Sequence, residues 1–423
     1  MSTADASAGR AGSGPSPHGY DPEPTASGGA PILGSIPAGD SIDAALDSAP
    51  TVADLGEEEL LAAITPLLPQ AARAEVPSGD DAAVVAAPDG RYCVSTDVLV
   101  QGEHFRTDWS TGRDVGARAA AQNLADIAAM GAVPTALVVS LVLPRTTPVR
   151  WVQDLARGFA DACAGTDAGV VGGDLSTGDR LVVAVTVHGD LEGRHPVLRS
   201  GARPGDLVVH CGTLGRSAAG LALLQAGLDD RGAGWADAVA ARSGGRGNTC
   251  DGVYTQAGDG ASRETRDVAT EAAAHCLRIY RAPVPPLAAG PALADAGATA
   301  MLDVSDGLLR DADRIARASG VVLDIADPED DPGVGLIHDL AVLEPVALLL
   351  REDAADARSL ARAWALTGGE DHGLLATLPP SARELPDGAR VIGAVRARRD
   401  GELAGALAGG RVPEKLGWDH FSS

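Results

Sequence analysis

The sequence predicts an α/β protein with two structured units, on three observations. Short apolar runs bounded by Gly, Pro and Asp alternate with longer stretches of helical periodicity. The chain has 423 residues, which at about 100–200 per domain suits two domains. Hydrophobic residues make up 45% of it, enough for a core in each unit.

The elements follow in order. Residues 1–50 are Gly, Ser, Pro, Ala and Asp with almost no aliphatic periodicity, and read as a disordered arm. Acidic and apolar residues alternate at helical spacing over 53–68. Short apolar runs at 82–86 and 92–100 predict strands. An Ala-rich helix is expected over 114–130, closed by Gly131 and Pro134. A buried strand at 135–143, a helix at 148–164 and strands at 169–171 and 180–188 complete the first unit. The GARPG stretch at 201–205 reads as a hinge, and 206–210 opens the second unit. Residues 229–270 are polar, Gly-rich and of low complexity, and are expected to form a flexible surface insert. Helices at 286–296, 307–319, 338–349 and 354–364 and strands at 300–304, 321–325, 373–377 and 389–395 follow.

Charge narrows the function. There are 34 basic and 58 acidic residues, a net charge of −24, and Lys415 is the one lysine. That surface repels phosphate backbones and anionic membranes, so neither nucleic acid nor membrane is an expected partner. No lysine is placed for a P-loop. Phosphate would have to be handled by arginine, backbone amides or metal ions. The five cysteines (Cys93, Cys163, Cys211, Cys250 and Cys276) are scattered without a CxxC pair, so neither disulfides nor a zinc site is indicated. The longest apolar run, 135–143, is less than half of a membrane helix, and no secretory signal precedes it. A soluble cytoplasmic protein is expected.

The informative acids sit at strand ends and turns. Asp80 and Asp81 follow Ser78-Gly79 into a strand, where one carboxylate can face a site and the other cap the turn. Ser95-Thr96-Asp97 ends a strand with hydroxyl and carboxylate oxygens that suit a hard cation such as Mg²⁺. Asp126 lies in the Ala-rich helix on one face with Arg118, Gln122 and Met130. It is either a solvated acid or an inward one. Gly172-Gly173-Asp174 ends a strand with backbone open to an anion. Asp303-Val304-Ser305-Asp306-Gly307 runs from a strand into a helix N-terminus, favourable for phosphate and metal together. Further on come Gly368-Gly369-Glu370-Asp371-His372 and a terminal Gly417-Trp418.

Eight collinear stretches from 79–85 to 417–421 together resemble the thiamine-monophosphate kinase family. They are GDDAAVV, STDVLVQGEHF, AAAQNLADIAAMGAVPTALVVSLVLP, VGGDLS, VLRSGARPGD, LDVSDGLLRDADRIARASG, LTGGEDHGLLAT and GWDHF. That family lies within the aminoimidazole-ribonucleotide synthetase-like ATP-binding superfamily. The resemblance implies ATP-dependent phosphorylation of thiamine phosphate to thiamine diphosphate, assisted by several Mg²⁺ ions. It implies a two-domain fold with mixed sheets, 51–195 for ATP, Mg²⁺ and dimerisation and 196–423 carrying the insert. N-terminal strands of a homodimer would form a barrel. By matching position, Asp81, Ser95, Thr96, Asp97, Asp126, Asp174, Asp303 and Asp306 would hold metal. Gly173, Asp174, Arg199 and Ser305 would bind ATP, and His104, Glu370 and Trp418 the thiamine phosphate. His372 stands where an aromatic or another residue is expected, and no role is assigned to it.

Phosphoryl transfer is mostly positioning and charge stabilisation. The accepting phosphate is already ionised near neutral pH, so no nucleophilic residue and no phosphoenzyme are expected. The alternatives are other ATP-dependent enzymes of the superfamily, of the aminoimidazole-ribonucleotide synthetase or selenophosphate synthetase type, and a carboxylate-rich metal-binding module. The N-terminal arm lacks the Cys expected of a selenophosphate synthetase. A Ca²⁺-binding module would gather its acids in one loop.

Overall fold

The computed structural model describes residues 50–77, 82–232, 234–243, 259–327, 335–382 and 384–418, with backbone alone over 259–266. The arm at 1–49 and the Ser78–Asp81 motif lie outside these residues, as do Asp419 to Phe421.

Helix α1 (Glu57–Ile64) precedes a short hairpin of β1 (Ala74–Val76) and β2 (Val84–Val85). Strand β3 (Cys93–Val100) leads into α2 (Gly112–Ala129). This helix begins two residues before the predicted start because Thr111 and Asp114 form a capping box. The Asp114 carboxylate accepts the Thr111 N–H at 2.7 Å. Strand β4 (Val133–Leu143), α3 (Val149–Cys163), β5 (Gly169–Thr177) and β6 (Val182–Asp190) complete a four-stranded sheet in the order β3-β6-β4-β5. Only β4 and β5 run parallel. Alternation along β3 turns Ser95, Asp97 and Leu99 toward α2, while Val94 and Val98 stay exposed on the other face. Helices α2 and α3 touch through backbone. A Cβ on Gly116 would lie 2.0 Å from the Leu155 carbonyl oxygen, so a side chain there would force them apart. The first core fills the space between this sheet and α1, α2 and α3.

The second sheet has six strands. After β7 (Leu207–Cys211) come α4 (Arg216–Gln225), α5 (Trp235–Ser243), α6 (Asp259–Arg281) and α7 (Ala289–Asp295). Strand β8 (Ala300–Asp303), α8 (Leu308–Ser319), β9 (Val322–Ile325), α9 (Ile337–Ala347) and α10 (Ala354–Thr367) follow. Strands β10 (Leu374–Leu378), β11 (Ala389–Arg396) and β12 (Gly405–Ala408) close the chain. The order is β12-β9-β11-β7-β10-β8, antiparallel apart from β12 on β9. The alternating helices and strands therefore build mixed sheets rather than a parallel one. Apolar cores lie against this sheet and among α4, α6, α9 and α10.

The stretch expected to be a flexible insert is corrected in part. Its beginning is fastened, since buried Arg281 pairs with Asp229 and Asp230 at 2.6 Å each. Helix α5 lies within it, and α6 starts at 259 rather than 271. Helix α4 and strand β12 were not foreseen. Among the described residues no helix is long and apolar enough to cross a membrane.

Candidate active site

The strand-end acids of β8 lie beside the Gly-Gly-Glu-Asp-His loop. Past the end of β8 the two segments still run together. Val304 N–H donates to Gly373 O at 2.7 Å, His372 N–H to Val304 O at 3.0 Å, and Glu370 N–H to Ser305 O at 2.8 Å. The approach requires Gly369, where a Cβ would sit 2.2 Å from the Ser305 carbonyl oxygen. Glu370 and His372 take left-handed φ of 67° and 53°. Such backbone costs about 1–3 kcal/mol per residue and persists where its surroundings over-determine it. Asp371 between them is buried away from the acids. Its carboxylate accepts from Thr213 Oγ1 at 2.8 Å and from the Arg216 and Ser217 amides at the start of α4. Burial raises its pKa to about 6.

Opposite this loop lies one face of α2. Arg118, Gln122 and Asp126, four residues apart, all point to the site. Arg118 is buried and pairs with the Glu370 carboxylate. Its Nη1 donates to Tyr280 O at 3.1 Å, and its guanidinium lies 5.3 Å from the Tyr280 ring centre. Gln122 lies near Asp97 and works against the burial that raises its pKa. Asp126 accepts from Ser95 Oγ at 2.5 Å.

Asp97, Asp126 and Asp303 thus come from a strand, a helix and another strand into one cluster. Burial, and then the Asp303 charge, pushes Asp126 up to about 7. Asp97 is raised too, first by burial and also by Asp303. His372 Nδ1 lies 3.0 Å from Asp303 Oδ2. Burial alone would lower the His372 pKa, but the carboxylates of Asp303 and Glu370 outweigh it and hold it at about 10. Burial would raise Glu370, but Arg118 and His372 hold it below the usual carboxylate range. The site is a carboxylate cluster with two cations set into it.

A family profile described as "AIR synthase related protein, N-terminal domain" matches residues 79–191. The thiamine-monophosphate kinase of Mycobacterium tuberculosis is 39% identical over 372 residues, 88% of this chain and 93% of its own. The thiamine-monophosphate kinase of Corynebacterium glutamicum is 38% identical over 361 residues, 85% of this chain and 91% of its own. The chain belongs to the thiamine-monophosphate kinase family. Solved structures agree. Thiamine monophosphate kinase from Aquifex aeolicus superposes with a TM-score of 0.58 at 27% identity, covering 78% of this chain and 91% of that one. AaThiL complexed with AMPPCP and TMP gives 0.60 at 28%, covering 81% and 91%.

Not every residue expected in a thiamine-monophosphate kinase site joins the cluster. Thr96 faces the opposite side of the sheet from Ser95 and Asp97, where its Oγ1 donates to Val185 O at 2.8 Å. Asp174 is exposed on β5, the far edge strand, opposite Ser140. Three strand spacings, roughly 14 Å, separate β5 from β3. Gly173 and Asp174 line a cavity of about 510 Å³ with Leu141, Val152, Leu155 and Phe159. His104 lies in the turn after β3, its Nδ1 accepting the Val100 N–H at 3.1 Å. Arg199 is exposed beside the start of β8. The Asp306 carboxylate is engaged by Arg314, which also holds buried Asp311 at 2.6 Å. Trp418 is fixed through its backbone N–H to Asp306 O at 2.9 Å, and its side chain is largely exposed. Asp81 falls outside the described residues.

Arg118, Gln122 and His372 are the site residues to which the sequence assigned no role. The four-residue spacing that links Arg118 and Gln122 to Asp126 was the available signal. Nothing comparable marked His372. Among the described residues no group of three His, Cys, Asp or Glu side chains is placed to hold a metal ion. The donor chemistry is nonetheless that of Mg²⁺, which takes one or two carboxylates and completes its shell with water and substrate phosphate. Burial first, and then mutual repulsion, raises the acids of this cluster.

Proposed function

We propose that this chain transfers the γ-phosphoryl group of ATP to the phosphate of thiamine phosphate, giving thiamine diphosphate and ADP. The convergence of Asp97, Asp126 and Asp303 opposite Glu370 carries this reading. The bond from the γ-phosphorus to the β,γ-bridging oxygen of ATP breaks. A bond to an oxygen of the acceptor phosphate forms, without a phosphoenzyme. Asp97, Asp126 and Asp303, with Ser95, are the proposed metal-facing residues of this cluster. Asp81, Thr96, Asp174 and Asp306 are metal candidates by matching position alone, with Thr96 on the other face of the sheet, Asp174 exposed on β5 and Asp306 held by Arg314. Mg²⁺ held by the cluster would neutralise the transferring phosphates, alongside the arginines that make up all but one of the 34 basic residues. Gly173 and Asp174 on the cavity wall, with Arg199 and Ser305, are the proposed nucleotide contacts. His104, Glu370 and Trp418 are the proposed acceptor contacts. A cytoplasmic location belongs to the same reading, because ATP is the co-substrate.

The direct test incubates purified protein with ATP, Mg²⁺ and thiamine phosphate and follows thiamine diphosphate by chromatography. Product from a different phosphate acceptor, and none from this one, would redirect the reading to a sister enzyme. The Trp418 side chain is 61% exposed and suited to stack on a thiamine ring. Trp418→Ala is expected to raise KM for thiamine phosphate about tenfold, the size of one lost stacking contact, and leave KM for ATP within about twofold. Equal effects on both would make the tryptophan mere packing.

Two domains, 51–195 and 196–423, are proposed on the two separate sheets, with a shared core that packs Ala128 and Ala129 of α2 against Leu293 and Met301. A homodimer is proposed on the outer face of the first sheet. Val94 and Val98 are 58% and 45% exposed there and offer apolar surface to a partner. A second copy of the same face would cover it and close a barrel. Val98→Asp should convert the dimer to monomer in sedimentation. An unchanged dimer would place the interface elsewhere.

A further inference from the structure

The His372 ring is buried, with 6% of its side chain exposed, and it stands between the two ends of the site. Nδ1 faces Asp303 Oδ2 at 3.0 Å. Nε2 faces Glu370 Oε2 at 3.9 Å, beyond hydrogen-bond reach, and is a buried polar atom without a hydrogen-bond partner. The backbone at His372 is held in a left-handed conformation by the His372 N–H to Val304 O bond. The ring therefore has little freedom except to follow its two carboxylates. Asp303 belongs to the acid cluster with Asp97 and Asp126. Glu370 is anchored on its far side by Arg118. Asp303, His372, Glu370 and Arg118 thus stand in a row from the metal-facing acids to the acceptor-facing carboxylate, with one open gap, the 3.9 Å between His372 Nε2 and Glu370 Oε2.

We propose that His372 is a positioning residue that couples cation binding at Asp303 to acceptor binding at Glu370. With Nδ1–H donated to one oxygen of Asp303, the other oxygen stays available to a cation. A cation that draws the carboxylate toward itself draws the ring with it and changes the gap to Glu370. Acceptor binding at Glu370 acts back through the same ring, since coupling between two sites is reciprocal. The inference rests on the functional reading above.

The test is titration calorimetry of full-length protein with thiamine phosphate, with and without Mg²⁺, and no ATP. In the unaltered chain Mg²⁺ should tighten thiamine phosphate about tenfold, within the ordinary range of coupling between sites. His372→Phe keeps the ring volume without either nitrogen, and should reduce that ratio to about twofold or less. His372→Gln, which offers an amide near Nε2 but none near Nδ1, should lose it as well. His372→Asn, with an amide near Nδ1 but nothing reaching toward Glu370, should lose it too. A merely structural histidine would change affinities or melting temperature without changing the ratio. An undiminished ratio in the Phe, Gln or Asn variant overturns the coupling and leaves the functional reading in place. So does the absence of any Mg²⁺ effect in the unaltered chain that still binds thiamine phosphate. Failure of that chain to bind thiamine phosphate under either condition overturns the functional reading and the coupling with it.

Discussion

Asp126→Asn is expected to lower kcat by about a thousandfold, yet to make the metal-free protein more resistant to heat above pH 7. The first effect follows from charge. A cation stabilising the transferring phosphoryl group supplies several kcal/mol, and each 1.36 kcal/mol is a factor of ten, so a lost ligand costs on the order of 10³. The second follows from linkage. Burial and the neighbouring Asp303 raise the Asp126 pKa from its ordinary 3.8 to about 7. A carboxyl raised in the folded state contributes stability that is full below its unfolded pKa and lost as pH rises through the folded one. Asparagine stays neutral and can still accept from Ser95. The variant should therefore match the parent near pH 4 and exceed it at pH 8, by melting temperature without metal. Adding Mg²⁺ should rescue the parent and not the variant. Proton and cation also compete for Asp126, so Mg²⁺ affinity of the parent should climb from pH 6 to 7 and level off above pH 8. Near-normal turnover, or a variant less stable than its parent at pH 8 without metal, would remove Asp126 from the metal-facing set.

How far the sequence reached depends on the range of the interaction that fixes each feature. Helix α2 was legible from its alanines and closing Gly131, but its Thr111–Asp114 capping box went unread, so its start was placed two residues late. Strand β3 was legible from its bounded apolar run, but the opposed directions of Ser95 and Thr96 follow only from alternation. Helix α4 begins where buried Asp371, 155 residues further on, accepts the Arg216 N–H. That start is written in another part of the chain. The helices at 235–243 and 259–281 were hidden by polar, low-complexity composition, and their anchor is the remote pairing of Arg281 with Asp229 and Asp230.

The same reasoning sorts the site. Asp97, Asp126 and Asp303 were picked as acids at strand ends and on a helix face, and they meet, although Asp97 lies within β3 rather than at its end. Asp306 was picked on equal grounds, but Arg314, eight residues along, holds its carboxylate. His372 looked like a neutral exchange in a loop. Its place as a buried neighbour of two carboxylates depends on the meeting of β8 with the Gly-Gly-Glu-Asp-His loop. The face shared by Arg118 and Asp126 was visible at four-residue spacing, but its partner, Glu370, is 252 residues away.

Arg118→Met is therefore expected to damage the acceptor end of the site while leaving the metal end in place. Methionine keeps much of the side-chain volume and removes the guanidinium paired with Glu370, leaving His372 at 3.9 Å as the cation near it. Breaking a fully buried pair costs about 3–5 kcal/mol, but the Glu370 side chain is 40% exposed and partly screened, so about 2 kcal/mol is expected. KM for thiamine phosphate should rise at least about tenfold, as expected for losing one charge-assisted contact, with KM for ATP little changed. Arg118 holds the Glu370 pKa down against burial, so the pair's stabilisation is present above the ordinary pKa of 4.5 and is lost as pH falls through the lower folded value. The gap in unfolding free energy between parent and variant should be widest near pH 7 and shrink below about pH 4. Arg118→Met with Glu370→Gln removes the stranded charge and should regain most of the lost stability without regaining the KM, a non-additivity that contact predicts. A single variant as stable as its parent at pH 7 would mean that desolvating the guanidinium costs as much as the pair returns. Glu370 would then be held by its left-handed backbone and the close approach at Gly369 rather than by charge.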